Sequence, residues 1–187
     1  MNMKIFYILS FGFLLNACAG TVPTEYNSQS YIKIQNKELI IGDFSYQPFE
    51  QGKVKSNQIA NTAIGSVFIG EDVAEYFKRA TGIELTSSGV IIKEKNADFL
   101  SGKVIEFEAD DLGYSIDWKF TAAYLMKNGD NIIIDKTYSA KKRKTGKFGL
   151  PSDYTSIINL LMLDVIEQFM NDLKKINNQP SKIDPFR

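Results

Sequence analysis

The clearest pattern in the chain is an alternation of apolar and polar residues between positions 114 and 126. Apolar side chains occupy every second position, and most of the residues between them are polar. A helix cannot produce seven consecutive matches to a period of two, so the pattern predicts a long strand with one buried face. Asn128-Gly129 then predicts a tight hairpin turn and a returning strand over residues 131–139. The alternating residues are Tyr114, Ile116, Trp118, Phe120, Ala122, Tyr124 and Met126.

Two other segments show helical spacing. Residues 70–80 carry apolar positions three and four apart, and Gly82 follows where a glycine commonly ends a helix. A longer helix is predicted from Pro151-Ser152-Asp153 to about Lys174, because serine and aspartate favour helix starts and a wide apolar stripe follows them. The stripe consists of Ile158, Leu161, Met162, Val165, Ile166, Phe169 and Leu173.

Shorter apolar runs complete the predicted sheet. Strands are predicted over residues 39–44 and 100–108, two short strands at 83–85 and 90–92, and an irregular segment over 47–62. The order β-α-β-β-β-α predicts an α+β fold, a two-layer sandwich in which two helices cover a mostly antiparallel sheet of about four to six strands. A single domain is expected over residues 31–175, followed by a loose C-terminal tail over 176–187.

The N-terminus has the features of a bacterial lipoprotein signal. Lys4 provides a positive charge, and the apolar run over 5–15 is shorter than the roughly 20 residues that span a bilayer. The run closes on Leu15, Asn16, Ala17 and Cys18, a lipobox with a branched residue three before the cysteine and a small residue just before it. The sequence therefore predicts a signal peptide over residues 1–17 and acylation of Cys18 as the first mature residue.

Cysteine usage and the following residues extend this prediction. Cys18 is the only cysteine, so no intramolecular disulfide can form, and two or three acyl chains on it would make a durable membrane anchor. Residues 18–30, small and polar after the cysteine, are predicted to form a flexible tether. Ala19 occupies the position where aspartate favours retention at the inner membrane, which predicts an outer-membrane location on the periplasmic face.

Charge and composition argue against several classes of function. The chain has 22 basic and 22 acidic residues, and removal of the signal takes away Lys4 alone, which leaves a net charge of −1. A balanced charge argues against nucleic acid as a partner. The sequence contains no histidine, the commonest general base and transition-metal ligand. We therefore expect no catalytic residue, no metal and no cofactor.

A penicillin-binding pattern is the strongest catalytic alternative. Ser30 and Lys33 have the S-x-x-K spacing, and residues 144–146 spell K-T-G. No S-D-N sequence lies between them, and Ser30 falls at the end of the predicted tether. An unrecognised hydrolase is therefore the least favoured hypothesis.

Two segments are candidates for contact with a partner. Residues 141–147 form a predicted loop with five positive charges, which suits contact with lipid headgroups, phosphates or an acidic protein, although a solvated hairpin end would have the same composition. These charges belong to Lys141, Lys142, Arg143, Lys144 and Lys147. Phe44, Tyr46 and Phe49 are candidates for a partner groove or for core packing.

Several of these segments together resemble the YajG-like lipoproteins of the bacterial envelope. The correspondence covers about residues 39–175 and runs through Ile40–Phe44, Thr81-Gly82, 97–104, Asn128-Gly129 and the final helix. This resemblance implies a non-enzymatic, lipid-anchored module that binds another envelope protein or a lipid. The layout is also similar to the auxiliary lipoproteins of envelope ABC and lipid-trafficking transporters, which implies a subunit of such a complex.

The lipobox generates a direct prediction. We expect mass spectrometry of the mature protein to find the chain starting at an acylated Cys18, and Cys18→Ser to release the protein from the membrane fraction, since serine has no thiol for the thioether-linked lipid. An unmodified thiol on Cys18, or a chain that retains Met1, would contradict the prediction.

Overall fold

The computed structural model describes residues 21–61, 66–146 and 151–178. Within them, the helices are α1 (Gln47–Glu50), α2 (Val73–Ser88) and α3 (Pro151–Asn177). The strands are β1 (Thr21–Val22), β2 (Glu38–Tyr46), β3 (Gln58–Asn61), β4 (Val67–Ile69), β5 (Ile91–Ile92), β6 (Asp98–Asp111), β7 (Ser115–Asn128), β8 (Asn131–Ser139) and β9 (Arg143–Gly146).

Three long strands form the centre of the sheet. β7 pairs antiparallel with β6 along nearly its whole length, and β8 pairs with the last part of β7. The predicted alternation is confirmed from Ile116 to Met126, because every second residue of β7 in this range is buried and the residues between them are partly exposed. It is wrong for Tyr114, which precedes the strand and is 90% exposed. One face of these strands therefore belongs to the core.

The other strands lie on both sides of this centre. β2 runs parallel to β6 and carries the short strand β5 on its other side. β3 is parallel to the end of β6, and β4 and β1 follow it. β9 pairs with the beginning of β7, on the side where β8 pairs with its end.

The sheet is larger and more mixed than the sequence analysis predicted. The described residues form one nine-stranded sheet with three helices, where about four to six strands and two helices were expected. Four of its eight pairings are parallel, so the sheet is mixed, although its two longest pairings, β6 with β7 and β7 with β8, are antiparallel as predicted. The segment 47–62 was expected to be irregular, but it contains α1 and β3. Periodicity did not reveal β3 because its four residues are too few to show a hydrophobic period.

Helix α2 continues beyond the glycine that was predicted to end it. Gly82 lies inside the helix, and the residues predicted as a strand at 83–85 form its third and fourth turns. Burial continues at helical spacing through Thr81, Leu85 and Ser88, so packing against the sheet outweighs the low helix propensity of a single glycine. The helix ends instead at Gly89, which has a left-handed φ of 102°.

An aromatic cluster joins both long helices to the same face of the sheet. The ring of Tyr124, on β7, stacks on Phe169 of α3 with 4.2 Å between centroids. Phe77 of α2 contacts Tyr124 and Phe120 with centroid distances of 5.5 and 5.1 Å. Because all four rings are buried, they place both helices over the same part of β7.

The last helix is longer than predicted. α3 begins at Pro151, as the sequence indicated, but it continues to Asn177, whose side-chain amide donates a 2.7 Å hydrogen bond to the carbonyl of Gln35. Ile176 packs against the core. Residues 176 and 177, assigned to the loose tail, therefore belong to the helix, and residues 179–187 lie outside the described residues.

The two glycines of α2 give a paired prediction. We expect Gly89→Ala to lower the free energy of unfolding by about 1–2 kcal/mol, because alanine disfavours positive φ and its Cβ would lie 2.8 Å from the Ile34 carbonyl oxygen. Gly82→Ala is the control, and it should be neutral or stabilising by up to about 1 kcal/mol, since its Cβ would meet only Ile41 at 3.4 Å. Chemical denaturation measures both; the opposite order would indicate that the helix ends at Gly82.

Candidate functional site

The segment after the predicted lipidation site is fastened to the helices. We call residues 21–35 the N-terminal strap. Its apolar side chains Val22, Tyr26 and Ile34 are buried, and β1 adds its first two residues to the sheet. The prediction of a flexible tether over 18–30 is therefore wrong for residues 21–30. The composition of the strap is mostly small and polar, and it did not indicate that Val22 and Tyr26, four residues apart, would be buried.

A buried carboxylate holds the middle of the strap. Glu84 of α2 is fully buried and accepts four hydrogen bonds from it. One carboxylate oxygen accepts from the Tyr26 hydroxyl at 3.0 Å and the Gln29 amide at 2.9 Å. The other accepts from the Ser28 hydroxyl at 2.8 Å and the Ser30 amide at 3.2 Å. A single side chain thus binds four of the five residues from Tyr26 to Ser30.

The electrostatics of this contact favour a permanent attachment. A buried carboxylate is costly unless hydrogen bonds replace its lost water, and the strap supplies four of them. Burial raises the pKa of Tyr26, and the neighbouring Glu84 carboxylate raises it further. Tyr26 therefore stays protonated and remains a hydrogen-bond donor throughout the physiological pH range.

Polar side chains of both helices hold the beginning of the strap through its backbone carbonyl groups. Thr155 of α3 donates to the Pro23 carbonyl, and Arg79 of α2 donates to the Thr24 carbonyl, each at 3.0 Å. The next carbonyl, of Glu25, accepts from the amide of the buried Asn159 at 2.6 Å. These bonds satisfy backbone groups that have no sheet partner, so the strap lies between α2 and α3 without forming a regular strand.

The strand directions show which end of the sheet β1 comes from. β1 is parallel to β4, β4 is antiparallel to β3, and β3 is parallel to β6. The N-terminal end of β1 therefore points to the end of the sheet where β6 turns into β7, which we call the β6–β7 end. The predicted lipobox, Leu15, Asn16, Ala17 and Cys18, lies outside the described residues, and three residues span about 10 Å at most between Cys18 and Thr21.

The basic segment differs from the predicted loop. Arg143–Gly146 form strand β9, and an Arg143 guanidinium nitrogen lies 2.8 Å from a carboxylate oxygen of Asp164 on α3. The Lys144 ammonium lies 3.7 Å from Asp117. Two of the five cations thus have acidic neighbours.

The other basic residues of this segment do not change its predicted contact with an anionic partner. Lys141 and Lys142 are exposed, and Lys147 lies outside the described residues. Contact with an anionic partner stays a prediction for Lys141, Lys142, Arg143, Lys144 and Lys147.

The second face of the sheet carries an exposed cross-strand row. We call the face opposite α2 and α3 the outer face. Near the turn between β7 and β8, Ile40, Phe99, Lys127 and Ile132 pair in register across four neighbouring strands, so they form one row, which we call the outer row. Phe99 and Ile132 are 43% and 59% exposed, a large fraction for apolar side chains in a sheet.

A glycine accommodates the aromatic member of the outer row. A Cβ atom at Gly42 of β2 would lie 2.0 Å from the Phe99 ring, so only glycine leaves room for the ring in this position. The tip of the ring therefore occupies the space beside Gly42, while the side chain stays 43% exposed. Sequence patterns could not reveal this row, because each member lies on a different strand.

The three aromatics after the first strand divide between the two roles considered for them. Phe44 and Tyr46 are buried in the core, whereas Phe49 is half exposed. All three border a cavity of about 240 Å³ that Glu50, Asp72 and Glu75 also line. Core packing thus accounts for Phe44 and Tyr46.

The residues of the penicillin-binding pattern have structural contacts. The Ser30 hydroxyl accepts from the Ile32 amide at 3.2 Å, and the Lys33 ammonium donates to the Ser87 carbonyl at 3.1 Å. Thr145 accepts a 2.8 Å hydrogen bond from the Trp118 indole. Among the described residues, no group of three or more acidic or cysteine side chains has metal-binding geometry, and no helix is both long and apolar enough to cross a bilayer.

Comparison with known proteins supports the fold. The structure is similar to a Xanthomonas campestris protein of family DUF330, with a TM-score of 0.61 and 10% identity over 86% of this chain and 95% of that one. A hypothetical protein from Chlamydia trachomatis gives a TM-score of 0.53 and 7% identity over 77% and 99% of the two chains. At these identities the likeness concerns the fold alone.

The other comparisons do not assign the chain to a family. A lipoprotein from Neisseria meningitidis matches at a TM-score of only 0.40 and 10% identity, over 72% of this chain and 99% of that chain, too distant to support an argument. No family model and no curated protein matches this chain. The resemblance to YajG-like lipoproteins therefore stays a prediction.

The Glu84 contact predicts a large effect of a single substitution on stability. We expect Glu84→Gln to lower the free energy of unfolding by about 2–3 kcal/mol, because the amide brings hydrogen atoms to a site surrounded by donors and removes the charge that strengthens their bonds. Limited proteolysis within residues 24–31 should accelerate. Glu75→Gln, at an exposed position of the same helix, is the matched control and should change neither measurement. Equal behaviour of the two variants would contradict the proposed attachment of the strap.

Proposed function

We propose that this protein is a lipid-anchored, non-enzymatic lipoprotein of the bacterial envelope that binds another envelope component through the outer face of its sheet. Its anchor is the acylated Cys18, and its location is the periplasmic side of the outer membrane. The observation that carries the proposal is the N-terminal strap, which fastens the segment next to the predicted lipid to both long helices.

The strap supports a role in which the domain has a defined position relative to the membrane. A flexible tether of 13 residues would separate the domain from the bilayer by a variable distance of about 20 Å. Attachment through Glu84, Thr155 and Asn159 leaves at most residues 18–20 between the attached strap and the lipid. A fixed short link suits a protein that presents a binding surface at a set height.

The outer row supports protein binding at the other end of the domain. It lies near the β7–β8 turn, whereas the N-terminal end of β1 points to the β6–β7 end. Exposed aromatic and aliphatic side chains with few charges characterise the centres of protein interfaces. We therefore assign the outer row to a protein partner of the envelope.

The second candidate function, an auxiliary subunit of an ABC or lipid-trafficking transporter, is a more specific form of the same proposal. The fold similarity to the DUF330 protein concerns architecture only. No feature of the described residues favours a transporter over another envelope assembly, so the general proposal is the one we make.

Site-specific photo-crosslinking tests the proposal in intact cells. A photoreactive phenylalanine analogue at Phe99 should give a covalent adduct with an envelope protein, since this side chain lies in the outer row and is 43% exposed. The same analogue at Tyr31 of the strap, which is 95% exposed, is the control and should not form that adduct. Ile132→Ser should weaken the adduct formed from position 99.

The outcomes distinguish the parts of the proposal. No adduct from position 99, or the same adducts from positions 99 and 31, would contradict partner binding at the outer row. An undiminished adduct in the Cys18→Ser variant would show that binding does not depend on the lipid anchor.

A further inference from the structure

The turn between β6 and β7 presents two apolar side chains to solvent. Leu112 is 53% exposed and Tyr114 is 90% exposed, although neither belongs to the outer row. Within the described residues, four other large apolar side chains are at least half exposed: Tyr31, Phe49, Ile91 and Ile132. Ile91 and Ile132 lie near the opposite end of the sheet, where β7 turns into β8, which we call the β7–β8 end. The turn is therefore a separate apolar feature at the β6–β7 end.

The backbone of this turn is fixed by local hydrogen bonds. The Leu112 amide donates to the Ser115 carbonyl at 2.9 Å, and the Gly113 amide donates to the Asp111 carboxylate at 2.8 Å. Gly113 has a φ of 93°, a conformation that glycine adopts without strain. The turn therefore holds Leu112 and Tyr114 outward on a short, closed hairpin tip, supported by the longest strand pairing of the sheet.

The position of the tip relative to β1 indicates what Leu112 and Tyr114 contact. The N-terminal end of β1 points to the β6–β7 end, and Thr21 is three positions after the predicted acylated Cys18 in the sequence. Three residues reach about 10 Å, so the acyl chains enter the bilayer close to this end of the sheet. Strand β6 continues past its pairing with β3 to Asp111, so the tip is the part of the hairpin farthest toward that end.

We propose that the β6–β7 turn is a second membrane contact, in which Leu112 and Tyr114 insert into the headgroup region of the bilayer that holds the lipid anchor. The inference rests on the proposed function, because it requires acylation of Cys18. Tyrosine is favoured at the membrane–water interface, where its ring is in an apolar layer and its hydroxyl stays hydrated, and leucine adds apolar area.

The charges beside the turn indicate which lipid surface it suits. Asp110, Asp111 and Asp117 lie on the flanking strands, and Lys144 of β9 lies 3.7 Å from the carboxylate of Asp117. Since β9 pairs with the beginning of β7, charges of both signs flank the tip. The contact is therefore with zwitterionic headgroups, driven by the apolar side chains and not by basic residues.

The single cysteine of the chain makes the experiment specific. In the mature lipoprotein the Cys18 thiol is acylated, so Tyr114→Cys introduces the only free thiol for an environment-sensitive fluorophore. Ile132→Cys is the matched control, because it replaces an exposed apolar side chain near the β7–β8 end. Both lipidated variants are reconstituted into phosphatidylcholine vesicles that contain a lipid with a nitroxide on its headgroup.

We expect the nitroxide to quench the fluorophore at position 114 at least threefold more strongly than at position 132. A fluorophore at Leu112→Cys should be quenched as strongly as one at position 114. This second variant keeps the test valid if Tyr114→Cys fails to fold. Equal quenching at positions 114 and 132, with the protein bound to the vesicles, would overturn the membrane contact and leave the anchor intact. Two fluorophores per chain, or failure to float with the vesicles, would show that Cys18 is not acylated and would overturn the proposed function itself.

Discussion

The arrangement of this molecule depends on the burial of one carboxylate, that of Glu84. Burying it is favourable only because the strap supplies four hydrogen-bond donors within 3.2 Å. Conversely, the strap has little secondary structure of its own and lies against the helices because Glu84, Asn159 and Thr155 bind its backbone and side chains. Each partner thus requires the other, which makes the N-terminal segment part of the folded domain.

The helices that receive the strap are positioned by the aromatic cluster. Tyr124 contacts Phe77 of α2 and Phe169 of α3, and its hydroxyl also shares a 2.6 Å hydrogen bond with Thr81. The sheet therefore sets the spacing of the two helices, and the helices in turn set the groove in which the strap lies. This chain of contacts links the predicted attachment point to β7, which contributes Lys127 to the outer row and follows the β6–β7 turn.

Sequence periodicity predicted the parts of the fold that bury one regular face. β7 and α3 show such faces over many residues, and both were found where expected. Periodicity failed where tertiary contacts determine the secondary structure. Gly82 lies inside α2 because packing against the sheet stabilises the helix beyond it. Strand β1 has two residues, too few to show any period. Glu84 left one recognisable signal, a charged residue between buried helical positions. The outer row left none, because its register exists only after the strands pair.

In the proposed arrangement, the acylated N-terminus holds the domain close to a bilayer, and the outer row at the far end of the domain binds a protein. Neutron reflectometry of the lipidated protein on a supported phosphatidylcholine bilayer tests this most directly, because it measures the water layer between headgroups and protein. With the strap attached, the protein density should begin within about 10 Å of the headgroups. A hydrated gap of about 20 Å or more, as expected for a free tether over residues 18–30, would contradict the account.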